Sequence, residues 1–266
     1  MKKNLAVDIQ LERHEAKYVV PHDLAKEAIA FAAPFCTPDP HGTGTPREYV
    51  VTTLQLDNRE LSLHRAKELE AYNRFKLRVR TYGEEPGSAP VFMEVKQKIG
   101  ANIVKSRSRV PFDQWGEHLI RNPEQVMDSF TTDAERNAFL KFVRLCREIG
   151  AMPLVLVRYT RESYFGWNDH YARISVDRKL QYQPTRLWDD WGRRGKWRTM
   201  DTTIAQRKDF PYSGVVLELK TLGNAPVWMI DLVQQLGLER MGNCKYSTAI
   251  WKELAFRGID DRAIAS

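Results

Sequence analysis

Arg74-Phe75-Lys76-Leu77-Arg78-Val79-Arg80 carries a base at every second position and an apolar residue between each pair. A strand turns successive side chains to opposite faces, so this run predicts a β-strand with one cationic face and one apolar face. The same alternation returns in Phe92-Met93-Glu94-Val95-Lys96-Gln97-Lys98, in Lys105-Ser106-Arg107-Ser108-Arg109 and in Val215-Val216-Leu217-Glu218-Leu219-Lys220. A single strand of this kind is most simply a half-exposed sheet with solvated charges above its core. Several in one chain change the reading, because Arg78, Arg80, Lys96, Lys105 and Arg107 would crowd like charges on neighbouring strands, whereas ordinary surfaces mix both signs. An anion offsets such repulsion. Closing the sheet into a barrel with this face inward brings the bases to its axis and leaves the apolar face for helices outside.

Outward from this centre, the Gly- and Pro-containing segment 83–88 predicts a turn that makes Arg74–Tyr82 and Val91–Lys98 an antiparallel hairpin. Ile103–Val110 follows as a third strand. Further strands are expected at Arg13–Val20, Glu48–Asp57, Leu154–Glu162, Tyr171–Leu180 and Tyr212–Lys220. Helical spacing is expected after Pro21 as far as Pro34, in an insert near 111–149 with Phe139, Phe142, Val143, Leu145 and Cys146 as buried candidates, and in C-terminal helices near 227–256, while Leu61–Tyr72 reads as a short helix or an irregular crossover. Cys36–Pro46 reads as a connector, and the Trp- and Arg-rich stretch 187–208 has no clear period. The fold class that follows is α+β: a closed antiparallel β-barrel with helices packed outside, spanning residues 1–266 as a single domain.

The 266 residues hold 41 Lys and Arg against 34 Asp and Glu, a formal charge of +7, which favours an anionic partner without naming it. Cys36, Cys146 and Cys244 stand far apart, giving neither a disulfide framework nor a zinc site and fitting a reducing cytoplasmic setting. Charges interrupt every apolar run before membrane-spanning length, so neither a signal peptide nor a transmembrane segment is expected. No His pair, His14 and His170 included, has metal-binding spacing, so the histidines read as structural or solvent-facing.

Phosphate suits the cationic face, since Arg offers a planar fork of donors and Lys a compact charge to non-bridging oxygens. Glu15, Glu94 and Glu218 share a face with Lys17, Lys96 and Lys220, a pairing suited to internal ion pairs or to a hard cation.

These runs, taken in order with Glu12-Arg13-His14-Glu15-Ala16-Lys17-Tyr18, Arg158-Tyr159-Thr160-Arg161, Arg173-Ile174-Ser175-Val176-Asp177 and Lys245-Tyr246-Ser247, resemble the VTC (vacuolar transporter chaperone) domain. That domain is the polyphosphate-polymerase branch of the triphosphate tunnel metalloenzymes. Arg13 stands where the wider superfamily commonly has the first Glu of its opening motif. Cys244 stands where the family often has Ser, and Thr53-Leu54-Gln55-Leu56-Asp57 replaces a common Ser-x-Tyr-Phe-Asp strand.

The resemblance implies an about eight-stranded antiparallel tunnel that binds ATP and a growing polyphosphate chain, with Mn²⁺ or Mg²⁺ as cofactor. It implies Arg78, Arg80, Lys96, Arg161, Arg173 and Lys245 as catalytic cations. Lys17, Lys76, Lys105, Arg107, Tyr159 and Lys220 become substrate contacts, Glu218 becomes the principal metal ligand, and Glu94 and Glu15 its companions. A polymerase is the leading expectation. A triphosphatase or polyphosphatase using the same tunnel, and a non-catalytic polyphosphate or inositol-phosphate binding module, remain as alternatives. Trp188, Trp191 and Trp197 beside Arg193, Arg194 and Lys196 resemble a stacking platform, but indoles so spaced more often pack a loop, so no nucleic-acid partner is expected. A membrane-protein partner is left open.

Overall fold

The computed structural model describes residues 13–100, 102–168, 171–200 and 215–258. The alternating runs form strands close to their expected bounds: β1 (Arg13–Val20), β3 (Glu48–Asp57), β4 (Asn73–Tyr82), β5 (Val91–Ile99) and β6 (Asn102–Val110). A three-residue strand, β2 (Cys36–Pro38), lies in the expected connector and pairs with residues 164–166. β7 (Met152–Gly166) and β8 (Arg173–Pro184) are longer than their periodicity indicates, and β9 (Arg198–Thr199) adds to β8. β10 (Val215–Leu222) closes the set; residues 212–214, His170 and the 201–208 part of the Trp-rich stretch lie outside the described residues.

Eight strands pair antiparallel in the order β1-β10-β8-β7-β3-β4-β5-β6. The expected closed barrel is corrected here. The path starts at β1 and ends at β6, and no ladder joins these edges among the described residues, so the sheet is a curled, open half-barrel. The free edge of β1 is used otherwise: Met241 N–H donates to the Lys17 carbonyl at 2.8 Å, and Arg240 Nη2 donates to the Glu15 carbonyl at 3.3 Å. Side chains span the gap, with Lys96 and Lys105 reaching Glu15 at 3.4 and 3.8 Å.

The apolar faces of the strands meet helices. Leu77, Val79, Met93 and Val95 pack on Phe139, Phe142, Val143 and Cys146 of α4 (Asp133–Ile149), which is the expected helical insert together with the one-turn α3 (His118–Arg121). The Thr132 hydroxyl caps α4 by accepting from Glu135 N–H at 3.2 Å, and Gly150 ends it at φ 62°. Burying Phe139 or Phe142 contributes on the order of 2–3 kcal/mol each.

On the other half, Ala25, Ala28 and Ala32 of α1 (His22–Ala32) and Met229 and Leu232 of α5 (Val227–Gln235) cover Tyr18, Ile174, Val176, Leu217 and Leu219. α2 (Ser62–Glu68) lies beside β4. α6 (Lys245–Phe256) packs Tyr246, Ala249 and Ile250 against Val51, Val155, Val157 and Leu180. The indoles behave as packing: Trp191 is buried in the α4-side core, and Trp115 Nε1 donates to the Trp188 carbonyl at 2.8 Å. No helix among the described residues is long and apolar enough to cross a membrane. Cys36, Cys146 and Cys244 are free thiols.

Candidate functional site

Strand register sets the charged residues side by side on the concave face. Lys17 lies opposite Glu218, and Arg161 opposite Asp177. Arg78 lies opposite both Gln55 and Glu94, Glu94 opposite Arg107, and Lys96 opposite both Lys76 and Lys105. Between them runs a cavity of about 110 Å³. Nine cationic side chains line it (Lys17, Lys76, Arg78, Arg80, Lys96, Lys105, Arg161, Lys220 and Lys245) against two carboxylates, Glu15 and Glu218. An adjoining cavity of about 250 Å³ shares Glu15, Lys17, Lys76 and Lys96 and adds Lys67, Arg74, Lys98 and Arg240. Two like charges roughly 5 Å apart repel by about 3 kcal/mol at an effective dielectric constant near 20, so this excess is costly unless an anion enters.

Three acidic centres hold the cations in place. Glu15 and Glu218 lie together. Lys17 reaches them at 3.0 and 3.7 Å, Lys220 reaches Glu218 at 2.8 Å, and Arg161 lies 3.6 Å from Glu218. Burial opposes ionisation of both acids. At Glu218 it is outweighed by Lys220, the Glu15 hydrogen bond, Lys17 and Arg161, which hold the carboxyl well below its usual range. At Glu15 burial and the Glu218 carboxylate are outweighed by Lys17 and Lys96.

The second centre is Glu94, which binds Arg78 at 2.6 Å and has Arg107 and Arg80 at 3.4 and 4.0 Å. Burial would raise it, but the three guanidinium groups bring it down to about 2. The third is Asp177, fully buried, which takes a two-point contact from Arg161 at 2.6 and 2.8 Å and Lys245 at 2.6 Å. Arg161 and Lys245 in turn lie over the Tyr159 ring, 5.3 and 4.8 Å from its centroid.

The lysines pay for enclosure in basicity. Burial pushes Lys96 down to about 8, with Lys17 and Arg78 adding to it and Glu15 opposing. Burial likewise brings Lys220 to about 8 against the pull of Glu218, and burial and Lys96 lower Lys105. Lys17 moves up instead, since Glu218 and Glu15 outweigh its burial. Lys76 donates to Cys244 Sγ at 2.8 Å; burial raises that thiol, but Lys76 and Ser247 outweigh it and bring it to about 7. Two buried donors lining the cavity, Arg80 Nε and the Thr53 hydroxyl, have no hydrogen-bond partner among the described residues.

Of the residues expected from sequence, the structure gathers Lys17, Lys76, Arg78, Arg80, Lys96, Lys105, Tyr159, Arg161, Lys220, Lys245, Glu15 and Glu218 around one cavity. Arg107 joins through Glu94. Glu94 sits with the arginine group rather than with Glu15 and Glu218. Arg173 lies beyond the cavity lining, held by Asp39 at 3.0 Å, by the Tyr49 hydroxyl at 3.1 Å and by the Ser163 hydroxyl at 2.7 Å. Sequence reasoning missed Thr53, Gln55 and Asn243 as parts of the wall, and the buried Asp177 that holds Arg161 and Lys245 from behind it. Asp177 was accessible to it, since it shares strand parity with Arg173 and Ser175; Thr53 and Gln55 carry no charge and so leave no mark in a charge pattern.

An antiparallel sheet curled around a cation-lined cavity, its acids tied into the wall, defines a tunnel-like fold with an excess of positive charge inside. The chain belongs to the VTC domain family, which it matches over residues 12–252. Comparison with curated proteins gave no match. Among solved structures it is similar to a putative adenylyl cyclase from Hippeastrum described as having a dominant triphosphatase activity. The identity is 14%, covering 94% of this chain and 97% of that one, with a TM-score of 0.46. It is also similar to a protein from Pyrococcus horikoshii OT3, at 12% identity, 91% and 99% coverage and a TM-score of 0.45.

Proposed function

We propose that this chain is a metal-dependent polyphosphate polymerase that transfers the γ-phosphoryl group of ATP to a growing polyphosphate chain in the channel. The observation that carries the reading is the excess of nine cations over two carboxylates around one cavity, with Arg80 Nε and the Thr53 hydroxyl buried there and lacking an acceptor. Buried donors are nearly always paired, and phosphate oxygens supply the missing partners.

Catalysis by such a site is positioning and charge neutralisation. A terminal oxygen of the acceptor chain attacks the γ-phosphorus, the bond from that phosphorus to the β–γ bridging oxygen breaks, and ADP leaves with the electron pair. Arg78, Arg80 and Arg161 would hold the equatorial oxygens, while Lys96, Lys105 and Lys220 would keep the acceptor in line. Lys17 and Lys245 keep Glu218 and Asp177 ionised, so Arg161 stays fixed between those two acids.

Glu15 and Glu218 fit a hard divalent cation: both are ionised oxygen donors, and Mg²⁺-type ions are commonly held by one or two carboxylates plus substrate phosphates. No group of three or more His, Cys, Asp or Glu side chains able to hold a metal occurs among the described residues. When bound, Mn²⁺ or Mg²⁺ supplies charge neutralisation on the phosphate oxygens.

Among the described residues, the channel carboxylates Glu15 and Glu94 are weakened as bases for water, which supports transfer in this reading. Glu94 is held down at about 2 by three arginines, and Glu15 lies below its ordinary range. Incubating the purified protein with ATP and Mn²⁺ and resolving the products on a gel tests the reading. Chains longer than triphosphate are the expected product; release of inorganic phosphate with no chain growth would overturn it.

A further inference from the structure

The two ends of the channel differ in chemistry. β4 runs from Arg74 and Lys76 at one end to Arg80 and Tyr82 at the other. The first end opens into the cavity lined by Lys67, Arg74, Lys96, Lys98 and Arg240. At the second end, three rings follow the cations on the same concave face: Tyr82 two residues beyond Arg80, Phe92 two before Glu94, and Tyr49 on β3. They touch as a collar, with Tyr82 and Phe92 centroids 5.6 Å apart at 76° and Tyr49 and Tyr82 centroids 6.0 Å apart at 61°. All three are only partly buried. The Arg107 guanidinium carbon lies over the Phe92 ring, 3.8 Å from its centroid, and Arg107 Nη2 donates to the Tyr82 hydroxyl at 3.2 Å. Its side chain remains 46% exposed.

We propose that Tyr82, Phe92 and Arg107 form the base-binding subsite of the donor nucleotide, and that polyphosphate leaves through the opposite, lysine-rich end. This rests on the reading above that the triphosphate lies in the channel. An arginine laid on a phenyl ring offers its second face to another flat π system, and bases stack on aromatic rings and on guanidinium planes. Two residues of strand separate the rings from the phosphate ligands by roughly 7 Å, about the reach of a ribose. The lysine-rich end offers charge and one ring, Phe75, which suits a chain of phosphates and not a base.

Calorimetric binding of ATP and of inorganic triphosphate to the wild type, Phe92→Leu and Tyr82→Leu tests the assignment. Each variant is expected to bind ATP roughly tenfold more weakly and to bind inorganic triphosphate as the wild type does, which also shows that its channel is intact. If ATP and inorganic triphosphate change in parallel, or ATP binding does not change, the base subsite is overturned while the channel stands. If the wild type binds neither, the channel reading itself falls, and the subsite with it.

Discussion

Lys96 and Lys220 both titrate near pH 8, because enclosure among like charges costs more than Glu15 and Glu218 return. Their folded-state values lie below the unfolded one, so between about 8 and the ordinary lysine range the unfolded chain holds more protons and the empty protein gains stability as pH rises. In the proposed reading phosphate binding runs the other way, since both ammonium groups would contact its oxygens. Triphosphate affinity is therefore expected to fall as pH rises through 8, with proton uptake on binding in calorimetry above that pH; an affinity flat from pH 7 to 9.5 would contradict this. Glu94 has the opposite sign. Its depressed value gives stability that is present above the unfolded carboxylate value near 4.5 and lost as pH falls toward about 2. Glu94→Gln strands Arg78, Arg80 and Arg107 without their anion, and is expected to cost about 3 kcal/mol in the empty protein, measured by denaturant unfolding, with added triphosphate recovering much of it. Cys244 offers a third check at this scale. Its thiol, near 7 beside Lys76, is expected to react with iodoacetamide at neutral pH and to be protected by inorganic triphosphate; alkylation indifferent to triphosphate would place the ligand elsewhere.

At the scale of elements, the period-two alternation was enough to place β4, β5 and β6 within a residue or two, because each has one apolar and one polar face. β8 was harder. Lys179 at φ 53° and a register shift in its pairing with β7 make a bulge, so Asp177 and Leu180 share the concave side although they are three residues apart. No strict alternation survives such a step. The grip of Asp39 on Arg173 was equally hidden, because it depends on the brief β2–β7 pairing, a long-range event with no local sequence mark. α6 is fixed at its first turn by Tyr246, whose hydroxyl donates to the buried Asp57 carboxylate at 2.7 Å; Asp57 also accepts from the Leu63 and His64 backbone N–H groups. Tyr246→Phe is expected to lower stability by about 1–2 kcal/mol and to weaken triphosphate binding, because Lys245 and Cys244 shift with the helix start. Unchanged binding at lowered stability would separate the helix from the channel.

For the whole molecule, the alternating bases implied an enclosed cationic face, and the structure encloses one without closing the sheet. Closure through side chains rather than a ladder was not legible, since it depends on the 240–241 segment taking the edge of β1 and on Glu15 drawing Lys96 and Lys105 across the gap. Which anion fills the channel is the point on which the rest depends. A crystal structure with a non-hydrolysable ATP analogue and Mn²⁺ tests it most directly. The expected result is the triphosphate lying along the channel within hydrogen-bonding distance of Arg80 Nε, Lys96 and Lys220, with Mn²⁺ between its oxygens and Glu218. A nucleotide bound outside the half-barrel, with Arg80 Nε still lacking an acceptor, would contradict it.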